Sequence, residues 1–269
     1  MNQSCSIFTG CSFTKGIGLL DTCDDKNLWV NRLYNSSNSL GKTKLLNLSV
    51  EGSSNIEIFT NSISALTNYN CQYLFVAWTS LLRYRFSLGV ETYNVDQYWA
   101  AISQLTDVNI NPGIVYSKKY LTNLKNKFLA LHHDHAEIIK VLNYTTIINQ
   151  LSQKLGVKVF FINNILPWDH NYFNWVFKNN RLPSDTTAYT QELLNSTTRD
   201  DQEFFELYDR IHLEYQKTQG TTNCVWLNLD RGFNQEFFID IGNDNLHPGI
   251  MSHLKFGDFL ISSLKNYIE

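Results

Sequence analysis

The chain of 269 residues is poor in charge: Asp, Glu, Lys and Arg together make up 17%, and the net charge is −3. Without an excess of basic residues there is no electrostatic footprint for a phosphate backbone, which argues against a dedicated nucleic-acid binder. Cysteine is scarce and scattered. The five residues, Cys5, Cys11, Cys23, Cys71 and Cys224, are odd in number and lack metal-ligand spacing, so reduced thiols are expected rather than a disulfide framework. No run approaches the roughly 18 consecutive apolar residues of a membrane span. The start, "MNQSCSIFTG", lacks the basic segment and long apolar run of a secretory signal. These absences lead us to expect a cytoplasmic protein that partners neither nucleic acid nor membrane. No internal repeat or low-complexity linker interrupts the chain, and residues 1–269 are expected to form a single domain.

What is present is an ordinary globular composition, 43% hydrophobic and 14% aromatic, long enough to bury a large core. The 30 asparagines are in excess, as an AT-rich gene would give without any structural demand. Short apolar runs at 5–8, 44–50, 73–78, 157–163 and 224–229 have strand length and favour β-branched and aromatic residues. Helix-like segments at 25–34, 54–68, 136–155, 201–218 and 249–266 alternate with them, and Gly156 supplies a stop for the third. This alternation predicts an α/β domain, three layers deep, with a mostly parallel five-stranded sheet. Ligands of such sheets gather beyond the carboxyl ends of the strands. Ser12, Gly52 and Thr79 all follow predicted strands and fall on that rim. Residues 84–130 and 164–200 are aromatic and polar without a clear period, and read as insertions at the strand ends.

The stretch "FTGCSFTKGIG" (8–18) raises the possibility of a nucleophile. Its small residues suit either a turn that presents Ser12 or an ordinary strand-to-helix loop in which Ser12 caps a helix. Near the far end, "DIGNDNLHPGIMSH" (240–253) carries Asp244 and His247 three residues apart. A carboxylate can then fix the imidazole's tautomer, and the imidazole can take a serine's proton. Either element alone is common; the pair, at the first strand and before the last helix, points to acyl transfer.

Together these blocks resemble the SGNH (GDSL) hydrolase family. "GCSFTKG" (10–16) stands for its first block, "NLSVEGSSN" (47–55) for its second, and Asp244 to Pro248 for its last, D-x-x-H-P. The G-C-S-F-T block and Trp29 are similar to a branch often encoded by tailed phages, a setting that implies host cytoplasm or virion. The resemblance implies an SGNH, flavodoxin-like fold and a serine esterase without cofactor or metal. Ser12 would be the nucleophile, His247 the base and Asp244 its orienting acid. Ser12, Gly52 and Thr79 would form the oxyanion hole.

Two departures stand out. Cys11 replaces the Asp of G-D-S, which in the family is not the triad acid. Thr79 stands where the third block carries an Asn, and loss of one oxyanion donor costs about 10²–10³ in rate; Thr79, Ser80 or Arg83 would have to compensate. That gap, with the long insertions, leaves a second reading open: a non-catalytic binding or virion-associated module that keeps the fold.

Asn47, Arg83 and Trp168 are candidates for substrate binding. Tyr98, Trp99, Trp168, Tyr172 and Trp175 suit either a sugar platform, and hence a carbohydrate or small-molecule ester, or simple packing. In "LHHDHAE" (131–137), His132 and His135 share a helix face, but adjacent His132 and His133 do not. A solvated helix start is expected there rather than a metal site.

Overall fold

The five apolar runs assemble into one sheet. In the computed structural model, residues 3–19, 26–79, 85–88, 91–94, 107–111, 114–117, 123, 134–163, 224–227, 237–244 and 247–269 are described. The sheet strands are β1 (Cys5–Thr9), β2 (Lys44–Asn47), β3 (Cys71–Trp78), β8 (Lys158–Asn163) and β9 (Cys224–Leu227). They lie side by side in the order β2-β1-β3-β8-β9, and every neighbouring pair is parallel. Parallel strands need covered faces on both sides, which is why these runs are almost continuously apolar.

The period of two along each strand divides the side chains between two cores. Phe8, Phe75, Ala77, Phe160 and Ile162 face one layer; Ile7, Leu74, Val76, Trp78, Val159 and Phe161 face the other. On the first face Phe8 stacks on Phe75 at 4.3 Å, and Phe75 on Phe160 at 4.6 Å, a ring ladder across three adjacent strands. Helices α2 (Trp29–Ser36) and α6 (Ile250–Ile268) cover that face. Trp29 and Phe256, both fully buried, meet edge-on at 5.4 Å. Helices α4 (Asn55–Asn68) and α5 (Asp134–Leu155) cover the other, where Phe59 stacks on Tyr144 at 4.4 Å. The architecture is three-layer α/β/α, as the alternation predicted.

Local signals account for the helix ends. Ser54 and Glu57 form a reciprocal capping box at the start of α4, satisfying donors that a helix N-terminus leaves unpaired. Gly156, with φ 68°, follows the end of α5.

Several elements differ from expectation. The strand predicted over 44–50 ends at Asn47, because Val50 N–H turns away to bond Gly10 C=O at 3.2 Å. The helix predicted over 25–34 begins at Trp29 and runs to Ser36. Of two single-turn helices, α3 (Asn38–Gly41) was not anticipated, and α1 (Ser12–Lys15) starts at Ser12 itself, with Cys11 rather than Ser12 in the cap position; four residues are too few to show a helical period. Within 84–130, β4 (Arg85–Leu88) pairs antiparallel with β5 (Glu91–Asn94), and β6 (Asp107–Asn111) with β7 (Ile114–Ser117). Strands this short offer two or three residues per face, so no alternation emerged. The helix predicted over 201–218 and the insertion 164–200 lie outside the described residues.

The chain runs from β1 to β2 on one side and then crosses to β3 on the other. The carboxyl ends of β1 and β3 therefore flank a reversal of strand order, the point at which open α/β sheets form a crevice. Ser12 follows β1 by three residues and Thr79 follows β3 directly.

Candidate active site

At the exit of β1 the chain tightens into one helical turn. Ser12 is its first residue, behind Cys11 in extended conformation, and Gly16 closes it in the left-handed region at φ 88°. Gly16 and Ile17 N–H both donate to Ser12 C=O at 3.0 Å. Gly10 must lack a side chain, because a Cβ there would sit 2.2 Å from Thr14 Oγ1. Asn47, at the end of β2, ties this turn to the sheet: its amide Nδ2 donates to Thr14 C=O at 2.9 Å while its Oδ1 accepts from Ser49 N–H at 3.2 Å. Cys11 is fully buried among core aromatics, where a thiol behaves as a small hydrophobe. Ser12 itself is 2% exposed.

Gly52 lies in the turn between β2 and α4 with φ 68°, a backbone state that disfavours any residue with a Cβ. Thr79 is held by a side chain from that same connection. Asn55 Oδ1 accepts from Thr79 N–H at 2.8 Å, and Asn55 Nδ2 donates to Thr79 C=O at 3.2 Å. The Thr79 hydroxyl is buried and has no hydrogen-bond partner among the described residues.

The loop before α6 carries the remaining candidates. His247 Nδ1 lies 2.5 Å from Asp244 Oδ2, and His247 N–H donates to Asp244 Oδ1 at 3.0 Å. With Nδ1 protonated toward the carboxylate, Nε2 is left as the acceptor, the tautomer a general base requires. The pair is part-exposed, 23% for His247 and 32% for Asp244.

Sequence reasoning missed what fixes this loop. Asp240 accepts at Oδ1 from Ser252 N–H (2.7 Å) and the Ser252 hydroxyl (2.5 Å), and at Oδ2 from Met251 N–H (2.9 Å). It thus caps α6, while Gly249 N–H donates to its carbonyl at 3.0 Å and Gly242 N–H to His247 C=O at 2.7 Å. Burial opposes ionisation of Asp240. The Ser252 hydroxyl, the two main-chain donors and the nearby His253 outweigh it, and the carboxyl is held below its ordinary 3.8. "D-I-G-N-D" contains nothing that distinguishes this Asp from its neighbour four residues on.

The structure brings the serine turn and the histidine loop together at Gly18. Asn243 N–H donates to Gly18 C=O at 2.8 Å. A Cβ on Gly18, whose φ is 98°, would lie 2.9 Å from His247 Cβ and 3.3 Å from Asp244 Oδ1. Beside Ser12, Phe13 stacks on the fully buried His253 of α6 at 4.7 Å. Arg83 and Trp168 lie outside the described residues, as do His132 and His133. Among the described residues no group of three or more His, Cys, Asp or Glu could hold a metal ion, and no helix is long and apolar enough to cross a membrane.

No family model matches the chain and no curated protein does. Among solved structures it is similar to TesA at 12% identity, covering 98% of this chain and 99% of that one, with a TM-score of 0.49. It is similar to the psychrotrophic esterase EstA from Pseudoalteromonas sp. at 11% identity, covering 99% and 98%, with a TM-score of 0.46. It is similar to the acetyl xylan esterase AlAXEase at 12%, covering 97% and 99%, with a TM-score of 0.44.

Proposed function

We propose that the protein is a serine esterase that transfers an acyl group to water, with Ser12 as nucleophile, His247 as general base and Asp244 as the group that orients it. The observation that carries this reading is the Asp244–His247 pair, 2.5 Å apart and seated against Gly18, six residues beyond Ser12. Ser12 Oγ attacks the ester carbonyl as His247 Nε2 accepts its proton. The same proton passes to the leaving alcohol, and a water activated in turn by His247 releases the acid. The developing oxyanion is met by the main-chain N–H groups of Ser12 and Gly52 and by the Thr79 hydroxyl. As the first residue of a helix, Ser12 has an N–H without an intrahelical partner. The substrate is an ester of a small molecule or an acylated carbohydrate, with Arg83 and Trp168 as contacts; the Asn47 carboxamide, a sequence candidate for the same role, is instead engaged by Thr14 C=O and Ser49 N–H.

A second reading, a non-catalytic binding module, is favoured by one observation: Ser12 is only 2% exposed. Hydrolysis of p-nitrophenyl acetate by the wild type and by Ser12→Ala separates the two. Turnover that disappears in Ser12→Ala is expected; equal background rates in both proteins sink the esterase and leave the binding module.

A further inference from the structure

The third family block is where the sequence departs most, and the structure holds that position in an unforeseen way. Thr79 leaves β3 at the strand-order reversal, and its main chain is paired on both sides by one carboxamide. An amide side chain offers a donor and an acceptor in one plane, so Asn55 pairs the residue beyond the end of β3 much as another strand residue would. Asn55 is 7% exposed. It is also the first residue of α4, three residues after Gly52, behind the Ser54–Glu57 capping box. One side chain therefore links the Gly52 turn to the Thr79 peptide. With the Thr79 N–H and C=O both engaged, its hydroxyl is the group left to meet a ligand, and it is buried and unpartnered among the described residues.

We infer that Asn55 is a positioning residue for ester hydrolysis: it fixes Thr79 relative to Gly52 so that hydroxyl and main-chain donors address one oxyanion. The inference rests on the esterase reading above. A site held this way replaces the missing amide donor with a shorter hydroxyl whose backbone cannot drift. Loss of Asn55 then frees Thr79 and acts through it, which a purely structural asparagine would not do.

The test is a double-mutant cycle on p-nitrophenyl acetate, with melting temperatures recorded for each protein. Thr79→Val keeps the side-chain shape and is expected to lower kcat by about 100-fold, the scale of one lost oxyanion donor. Asn55→Ala is expected to lower kcat comparably with KM within about twofold, and the double variant to be no slower than either single one. Asn55→Asp guards against a variant that fails to fold. It keeps the acceptor for Thr79 N–H but loses the donor to Thr79 C=O until its carboxyl is protonated, so its kcat relative to wild type should rise as pH falls. Asn55→Ala with wild-type kcat, a multiplicative double variant, or a pH-independent ratio for Asn55→Asp would each overturn the inference while leaving the esterase intact. A wild type that neither turns over the ester nor reacts at Ser12 overturns both, and is distinguished by that silence.

Discussion

The serine turn and the histidine loop meet at Gly18, yet different forces hold them. The turn is embedded in the core: Cys11, Ser12, Phe13 and Thr14 are all buried, and Phe13 lies against Trp29, His253 and Phe256. The loop is largely exposed, with Ile239 and Ile241 at 54% and 60%. It is closed by hydrogen bonds that converge on Asp240 and the start of α6. Packing is non-directional and fixes a segment by excluding alternatives, whereas a carboxylate cap is directional and depends on charge. Ser12, held by the first device, and His247, held by the second, should therefore respond to different perturbations.

The largest effect belongs to the packed side. Phe256→Ala empties a position touching Phe13, Trp29, Phe237 and Phe259 and should cost about 3–5 kcal/mol of stability, read from urea unfolding. If the loss is under about 1 kcal/mol, the turn is not held by packing and the contrast fails.

Gly18→Ala strikes the meeting point. Its Cβ would push against His247 Cβ from a backbone conformation with φ 98°. A displacement of about 1 Å in a catalytic group can cost on the order of 100-fold, so the proposed esterase activity should fall far more than the melting temperature suggests. Parallel small losses of both would show that the loop accommodates the methyl group.

The smallest effect is titration of the cap. Because the folded pKa of Asp240 lies below its ordinary 3.8, its contribution is fully present above that value and is lost as pH falls through the folded pKa. Asp240→Asn should therefore flatten the acid limb of the stability curve below about pH 4, measured by thermal melts across pH. An unchanged acid limb would place the loop's anchor elsewhere.

How legible all this was from the sequence follows the same division. The sheet was readable because its strands are buried on both faces and carry continuous apolar runs such as "YLFVAW" and "VKVFFIN". The same runs place Ser12, Gly52 and Thr79 beyond the ends of β1, β2 and β3. The polar devices were not readable. Asp240, Asn55 and Asn47 act mostly through main-chain partners in other elements, from Thr14 to Ser252. Hydrogen bonds to backbone leave no signature in the partner's identity, and with 30 asparagines no single one stands out. The short antiparallel pairs of 85–117 escaped because four or five residues show no period.

The most direct test of the central claim is reaction of the intact protein with a fluorophosphonate, followed by mass spectrometry of its peptides. The account predicts a single adduct on Ser12 that forms much more slowly in His247→Ala, because the imidazole no longer removes the serine's proton. No adduct, or one on Ser12 whose rate ignores His247, would contradict it.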